Sequence, residues 1–115
     1  MKRTAYVFLT AATVSQAVAA SLPGHEVQTG EALVKMCSGA ERVKMLGMMC
    51  HSYLNGYIDT ATVFNKGGRF CLRPDDKQFL PSRVASWLRA HPDLLSRPAP
   101  EALNRFLPEY YPCPK

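Results

Sequence analysis

The 115-residue chain has no C-x-x-C pair, no alternating apolar–polar run long enough for a strand, and no apolar stretch of membrane-spanning length. Each absence removes a class of protein. Structural zinc sites favour closely spaced ligand pairs, and Cys37, Cys50, Cys71 and Cys113 stand far apart, so no metal site and no cofactor is assigned. Without period-two patterning, a sheet protein is excluded and an all-α chain is expected. The apolar run Ala5–Val14 falls short of the roughly 20 residues a span needs. Asp59 has no second acid on its helix face, so no carboxylate dyad forms for acid–base work. Basic residues outnumber acids only 14 to 9 and are interleaved with them. They make no stripe of the kind nucleic acid requires, so no nucleic-acid partner is assigned.

What is present points outward from the cytoplasm. Met1-Lys2-Arg3 is a short positive segment, Ala5–Val14 an uncharged apolar one, and Ala17-Val18-Ala19 offers the small residues of a cleavage site. Residues 1–20 are read as a cleaved secretory signal, and 21–115 as a single domain with its core at about 31–113. Losing Lys2 and Arg3 leaves twelve basic residues against nine acids. The expected location is the periplasm, with no membrane attachment after cleavage. In that oxidising compartment an even cysteine count reads as disulfides. Four cysteines allow three connectivities; the favoured one is Cys37–Cys50 with Cys71–Cys113, tying the first helix to the second and the link after the second to the chain end. Each bridge contributes roughly 3–4 kcal/mol by loop entropy, a large share for so small a core.

Helical spacing marks four segments. Ser21–Gly30 is polar and reads as a loose lead-in. Glu31–Cys37 carries an apolar face of Ala32, Leu33, Met36 and Cys37. Ser38 and Glu41 fit a capping box before the longest stripe, Val43, Leu46, Cys50, Tyr53, Tyr57, Ala61 and Phe64. Lys66-Gly67-Gly68 supplies its stop. Phe70–Pro74 reads as an extended link, Asp75 or Asp76 as a cap, and Val84, Trp87, Leu88 and His91 as the third stripe, stopped by Pro92. A last helix is expected from about Ala99 to Leu107, with Ala102, Leu103 and Phe106 inward, Pro100 in its first turn and Pro108 ending it.

No catalytic residue is assigned, and the chain reads as a binder rather than an enzyme. His51 adjoins Cys50, but a paired cysteine is no nucleophile, and neighbouring helical side chains diverge by about 100°. His91 is placed as a cap on free carbonyls at a helix end. Met45, Met48 and Met49 are read first as packing and second as an adaptable contact surface. Tyr110 and Tyr111 serve equally as a binding anchor or as cover for the last disulfide.

Taken in order, these segments resemble a known family. Cys50–Asp59 follows the pattern C-x-x-Y-[IL]-x-G-x-x-D, with Tyr53, Gly56 and Asp59 at its fixed positions. Phe70-Cys71-Leu72-Arg73-Pro74 resembles its F-C-x-P element with one residue added. Gln78, Val84, Trp87, Leu88 and His91-Pro92-Asp93 are similar to its third helix, and Pro98-Ala99, Ala102-Leu103 and Tyr111-Pro112-Cys113 close the series. The chain resembles the Rap/Tai family of immunity proteins, associated with type VI secretion amidase effectors, from about Leu33 to Cys113. The extra residue before Pro74, Pro81 and Pro100 depart from the pattern. The resemblance implies a small all-helical periplasmic protein, often a homodimer, that binds a peptidoglycan-cutting cysteine amidase and blocks its active-site cleft. Tyr53, Gly56, Asp59, Pro74, Gln78, His91, Pro92, Pro98 and Pro112 are then structural, with Gly56 admitting the close approach of another helix. Partner contacts fall in exposed segments, with Asn65, Lys66, Arg69, Leu94 and Arg97 as candidates. The alternative is a general envelope protein on the same scaffold, a stress or chaperone-like factor or a secretion-apparatus accessory, also non-enzymatic.

Overall fold

A computed structural model describes residues 27–64 and 69–115. The expected signal, residues 1–20, and the Lys66-Gly67-Gly68 stop lie outside the described residues. Four helices form: α1 Gly30–Ser38, α2 Lys44–Phe64, α3 Leu80–Arg89 and α4 Ala99–Tyr110. Two 3₁₀ turns, Pro74–Phe79 and Pro92–Leu94, sit at the ends of α3. Among the described residues there is no strand, only an isolated bridge between Thr29 and Pro98, and no helix is long and apolar enough to cross a membrane. The all-α reading holds.

α1 is the centre of the packing and touches α2, α3 and α4. Its Leu33 joins Leu54, Val84, Leu88, Leu103, Phe106 and Leu107 in a core where each is at most 2% exposed. A helix start leaves its first four N–H groups without intrahelical partners, and here three of them are met. The Thr29 side chain accepts from Ala32 N–H, while Gly30 and Glu31 donate to the carbonyls of Arg97 and Leu95 at 2.9 Å each. Gly30 is required there, since a Cβ would lie 2.3 Å from the Leu94 carbonyl oxygen. The lead-in is therefore not loose from Gln28 onward, whose carbonyl accepts from Ala99 N–H at 2.6 Å.

Both favoured disulfides are present. Cys37–Cys50 clamps α1 to α2 and is buried, while Cys71–Cys113 joins the link to the tail and is more open to solvent. The Ser38–Glu41 capping box is not: Ser38 ends α1 and donates to the Val34 carbonyl instead. The chain turns through Gly39–Arg42, with Val43 N–H on the Gly39 carbonyl at 2.9 Å. Gly47 lets this turn lie against α2, because a Cβ would stand 2.6 Å from the Ala40 carbonyl oxygen. The buried stripe of α2 is Gly47, Cys50, Leu54, Ile58 and Ala61. Tyr53 and Tyr57 flank it half-buried, and the expected inward Val43 and Phe64 are 47% and 65% exposed.

Asp76 caps the 3₁₀ turn before α3, its carboxylate accepting from Arg73 N–H at 3.0 Å. Pro81 sits in the first turn of α3, as its fixed φ allows. α4 runs on through Pro108 to Tyr110 rather than ending near Leu107. The proline forfeits one hydrogen bond in the last turn. Burial of Phe106, Leu107 and Tyr111, at 0%, 2% and 7% exposure, outweighs that loss.

Candidate interaction surface

Each of the four cysteines is disulfide-bonded, so no thiol is free to act as a nucleophile. Among the described residues no cluster of His, Cys, Asp and Glu could hold a metal ion. The surface offers shape and apolar area instead.

Most of that area is on α2. At 1.5 Å per residue its 21 residues reach about 31 Å, against about 18 Å for the 12 of α4. Both ends of α2 therefore overrun the core. Met45, Met48 and Met49 are 64%, 58% and 47% exposed at one end, so the methionines are surface rather than packing. Val63 and Phe64 are 75% and 65% exposed at the other.

Beside Phe64 lies a predominantly apolar groove of about 450 Å³, lined by Tyr57, Thr60, Ala61, Phe64, Pro100 and Asn104. Tyr57 is fixed across it by donating its hydroxyl to the Asn104 side-chain oxygen. Burial, reinforced by neighbouring Tyr53, raises the Tyr57 pKa above its ordinary value, which keeps that donor protonated. The two candidate contact segments adjoin lining residues of this groove in sequence. One begins directly after Phe64, with Asn65 and Lys66 outside the described residues and Arg69 exposed. The other ends at Arg97, an exposed residue paired with Glu101 at 2.9 Å, one turn from Pro100.

Leu94 is a correction. It is 6% exposed and belongs to the core, because the 94–97 segment is occupied in receiving the start of α1. Gly56 is another. A Cβ there would meet nothing within 4 Å, so no described helix of this chain makes the close approach expected of it. Asp59 is exposed on the same outer side of α2. His91 does cap: its Nδ1–H donates to the Trp87 carbonyl at 2.7 Å, and its ring stacks on the Trp87 indole at 3.8 Å. Pro74 and Pro92 open the two 3₁₀ turns, and Pro98 precedes α4. Gln78 lines a polar cleft with His51 and Arg89, and Pro112 borders a second cleft at the chain end.

The family model described as Rap1a immunity proteins matches residues 29–113, from the Thr29 cap of α1 to the last disulfide. The chain belongs to the Rap1a immunity protein family. No curated protein and no solved structure matches it. As a Rap1a family member it points to an immunity role against a type VI effector, exercised by binding that effector. The overhanging ends of α2 are the feature of this member that residue spacing did not reveal. Their apolar residues continue the helical period and look like core until the lengths of the partner helices are known.

Proposed function

We propose that this Rap1a family protein acts in the periplasm as the antidote to a peptidoglycan amidase delivered by type VI secretion, and that it works by covering the amidase's active-site cleft. The family match across the described helices carries this reading. Occlusion asks for a rigid complementary surface and no chemistry. Two disulfides and one continuous core supply the rigidity. Disulfides persist in an oxidising compartment, which is where peptidoglycan is cut and where the residue 1–20 signal would send the chain.

The groove at the end of α2 is the occluding surface on this reading. Phe64 stands out from it as an aromatic anchor, and such anchors dominate interface energetics. Asn65, Lys66, Arg69 and Arg97 add polar contacts to the effector on the same reading. A specific interface buries about 800 Å² on each partner, so contacts extend beyond the groove along α2.

A contact competition tests the role. A strain lacking the gene is grown on a surface against its parent, with and without a plasmid encoding the exported protein. Immunity predicts lysis of the mutant that requires the parent's active secretion system and is reversed by the plasmid. Survival of the mutant beside a parent that is actively secreting would reject immunity and favour the general envelope role.

A further inference from the structure

At the end of the domain formed by the start of α3 and the close of α4, Arg83 is held from several sides. Its Nη1 donates to the Tyr111 hydroxyl at 2.9 Å and to Asp76 at 3.4 Å. Its guanidinium carbon lies 4.9 Å from the Phe79 ring centre, 5.6 Å from Tyr110 and 5.8 Å from Tyr111. The side chain is thus fixed before any ligand arrives, so little rotamer freedom is left to lose on binding. Its Nε and Nη2 donors have no hydrogen bond among the described residues. Arg83 lines a cleft of about 570 Å³ together with Arg73, Asp76, Tyr110 and Tyr111, walled by Cys71, Pro112 and Pro114.

The charges in this cleft do not balance. Two arginines and one aspartate line it, and Asp76 already spends one oxygen on Arg73 N–H and the other on Arg83. The Arg73 guanidinium forms no ion pair among the described residues. A clamp for the chain end needs only Arg83, Asp76 and Tyr111; a second cation at the same cleft adds repulsion unless an anion joins it. Tyr111 supports the same assignment. Burial, partly opposed by Arg83, raises its pKa, so while it accepts from Arg83 it retains an O–H to donate.

We infer that the Arg73–Arg83 cleft is a carboxylate receptor that takes an acidic side chain of a protein partner. Arginine's planar fork matches a carboxylate, and the flanking tyrosines and prolines suit the aliphatic stem of glutamate. On the immunity reading the acidic side chain belongs to the effector. Peptide titration reports on the cleft alone and the contact competition on immunity, so the two fail separately.

The test is NMR titration of the exported protein with acetyl-Ala-Glu-Ala-amide, its glutamine counterpart, and a cell-wall stem peptide with free terminal carboxylates. The glutamate peptide should shift the Arg83 Nε–H and the Tyr110 and Tyr111 ring signals, and should bind at least about fivefold more tightly than the glutamine peptide at low salt. Arg73→Gln should weaken it about two- to fivefold, the range of one exposed charge pair, with an unchanged melting temperature. Arg83→Gln should abolish binding, but because it can also free the chain end, Arg73→Gln is the deciding variant. Equal titration by both tripeptides, no binding at millimolar concentration, no effect of Arg73→Gln, or binding of the stem peptide alone would each overturn the assignment.

Discussion

Gly47 and Gly56 lie nine positions apart in α2, and the same substitution should stabilise the protein at Gly56 but not at Gly47. Alanine in a helix interior gains about 0.8–1.0 kcal/mol over glycine, and that gain is common to both. At Gly56 nothing stands within 4 Å of the new Cβ, so Gly56→Ala should retain the whole gain. At Gly47 the Cβ would meet the Ala40 carbonyl oxygen at 2.6 Å. The obstacle is backbone, in a turn that lies between the two cysteines of the Cys37–Cys50 bridge, so it cannot simply rotate aside. Overpacking of this kind costs about 1–3 kcal/mol, leaving Gly47→Ala between neutral and about 2 kcal/mol less stable. Thermal unfolding followed by circular dichroism resolves this, because 1 kcal/mol moves Tm by about 4–8 °C in a domain this small. Gly56→Ala should raise Tm by that amount and Gly47→Ala should lower it or leave it unchanged. Equal increases in both would refute the packing of the Gly39–Arg42 turn on α2. A concentration-dependent fall in Gly56→Ala would mean that a second copy of the chain packs at Gly56.

Three further outcomes follow from the same geometry. Under limiting dithiol, timed alkylation with mass spectrometry should find Cys71 and Cys113 labelled well before Cys37 and Cys50, since the latter are 3% and 0% exposed and exchange needs access to sulfur; simultaneous labelling would contradict the burial. Tyr53, Tyr57 and Tyr111 all have pKa values raised by burial, so their stabilising contribution is intact below the ordinary tyrosine pKa near 10 and is lost as pH climbs through their higher folded values. Chemical denaturation should therefore give constant stability from these groups between neutrality and about pH 10 and a decline beyond it, with delayed tyrosine ionisation in ultraviolet absorbance. Phe64→Ala removes a side chain that is 65% exposed and should change stability by less than about 0.5 kcal/mol, yet weaken effector binding by at least about tenfold, as loss of an interface anchor does.

Local signals carried much of this fold. The three-and-four spacing located every helix, Pro92 marked the stop after α3, and the favoured cysteine pairing is the one that forms. What failed depended on partners distant in sequence. Leu54 and Ile58 displace Tyr53 and Tyr57 at the centre of the α2 stripe because α1 fixes that helix's rotation through Cys50. Val43, Phe64 and the methionines are apolar at helical spacing, and only the short reach of the neighbouring helices leaves them outside. Leu94 looked like a loop contact because nothing local says that its segment will receive the α1 amides. The surroundings of Arg83 come from residues 76 to 111, brought together only by the packing of α3 on α4 and the Cys71–Cys113 bridge. The family pattern, by contrast, was visible in Cys50–Asp59 and the closing Tyr111-Pro112-Cys113, since cysteine and proline positions are set by covalent and backbone geometry.

The most direct measurement takes the toxin that lyses the deletion strain and follows its hydrolysis of purified peptidoglycan as this protein is added. Occlusion predicts loss of activity that is complete at one protein per toxin and that Phe64→Ala shifts to higher concentration. A toxin that binds the protein tightly while cutting peptidoglycan at its full rate would contradict it.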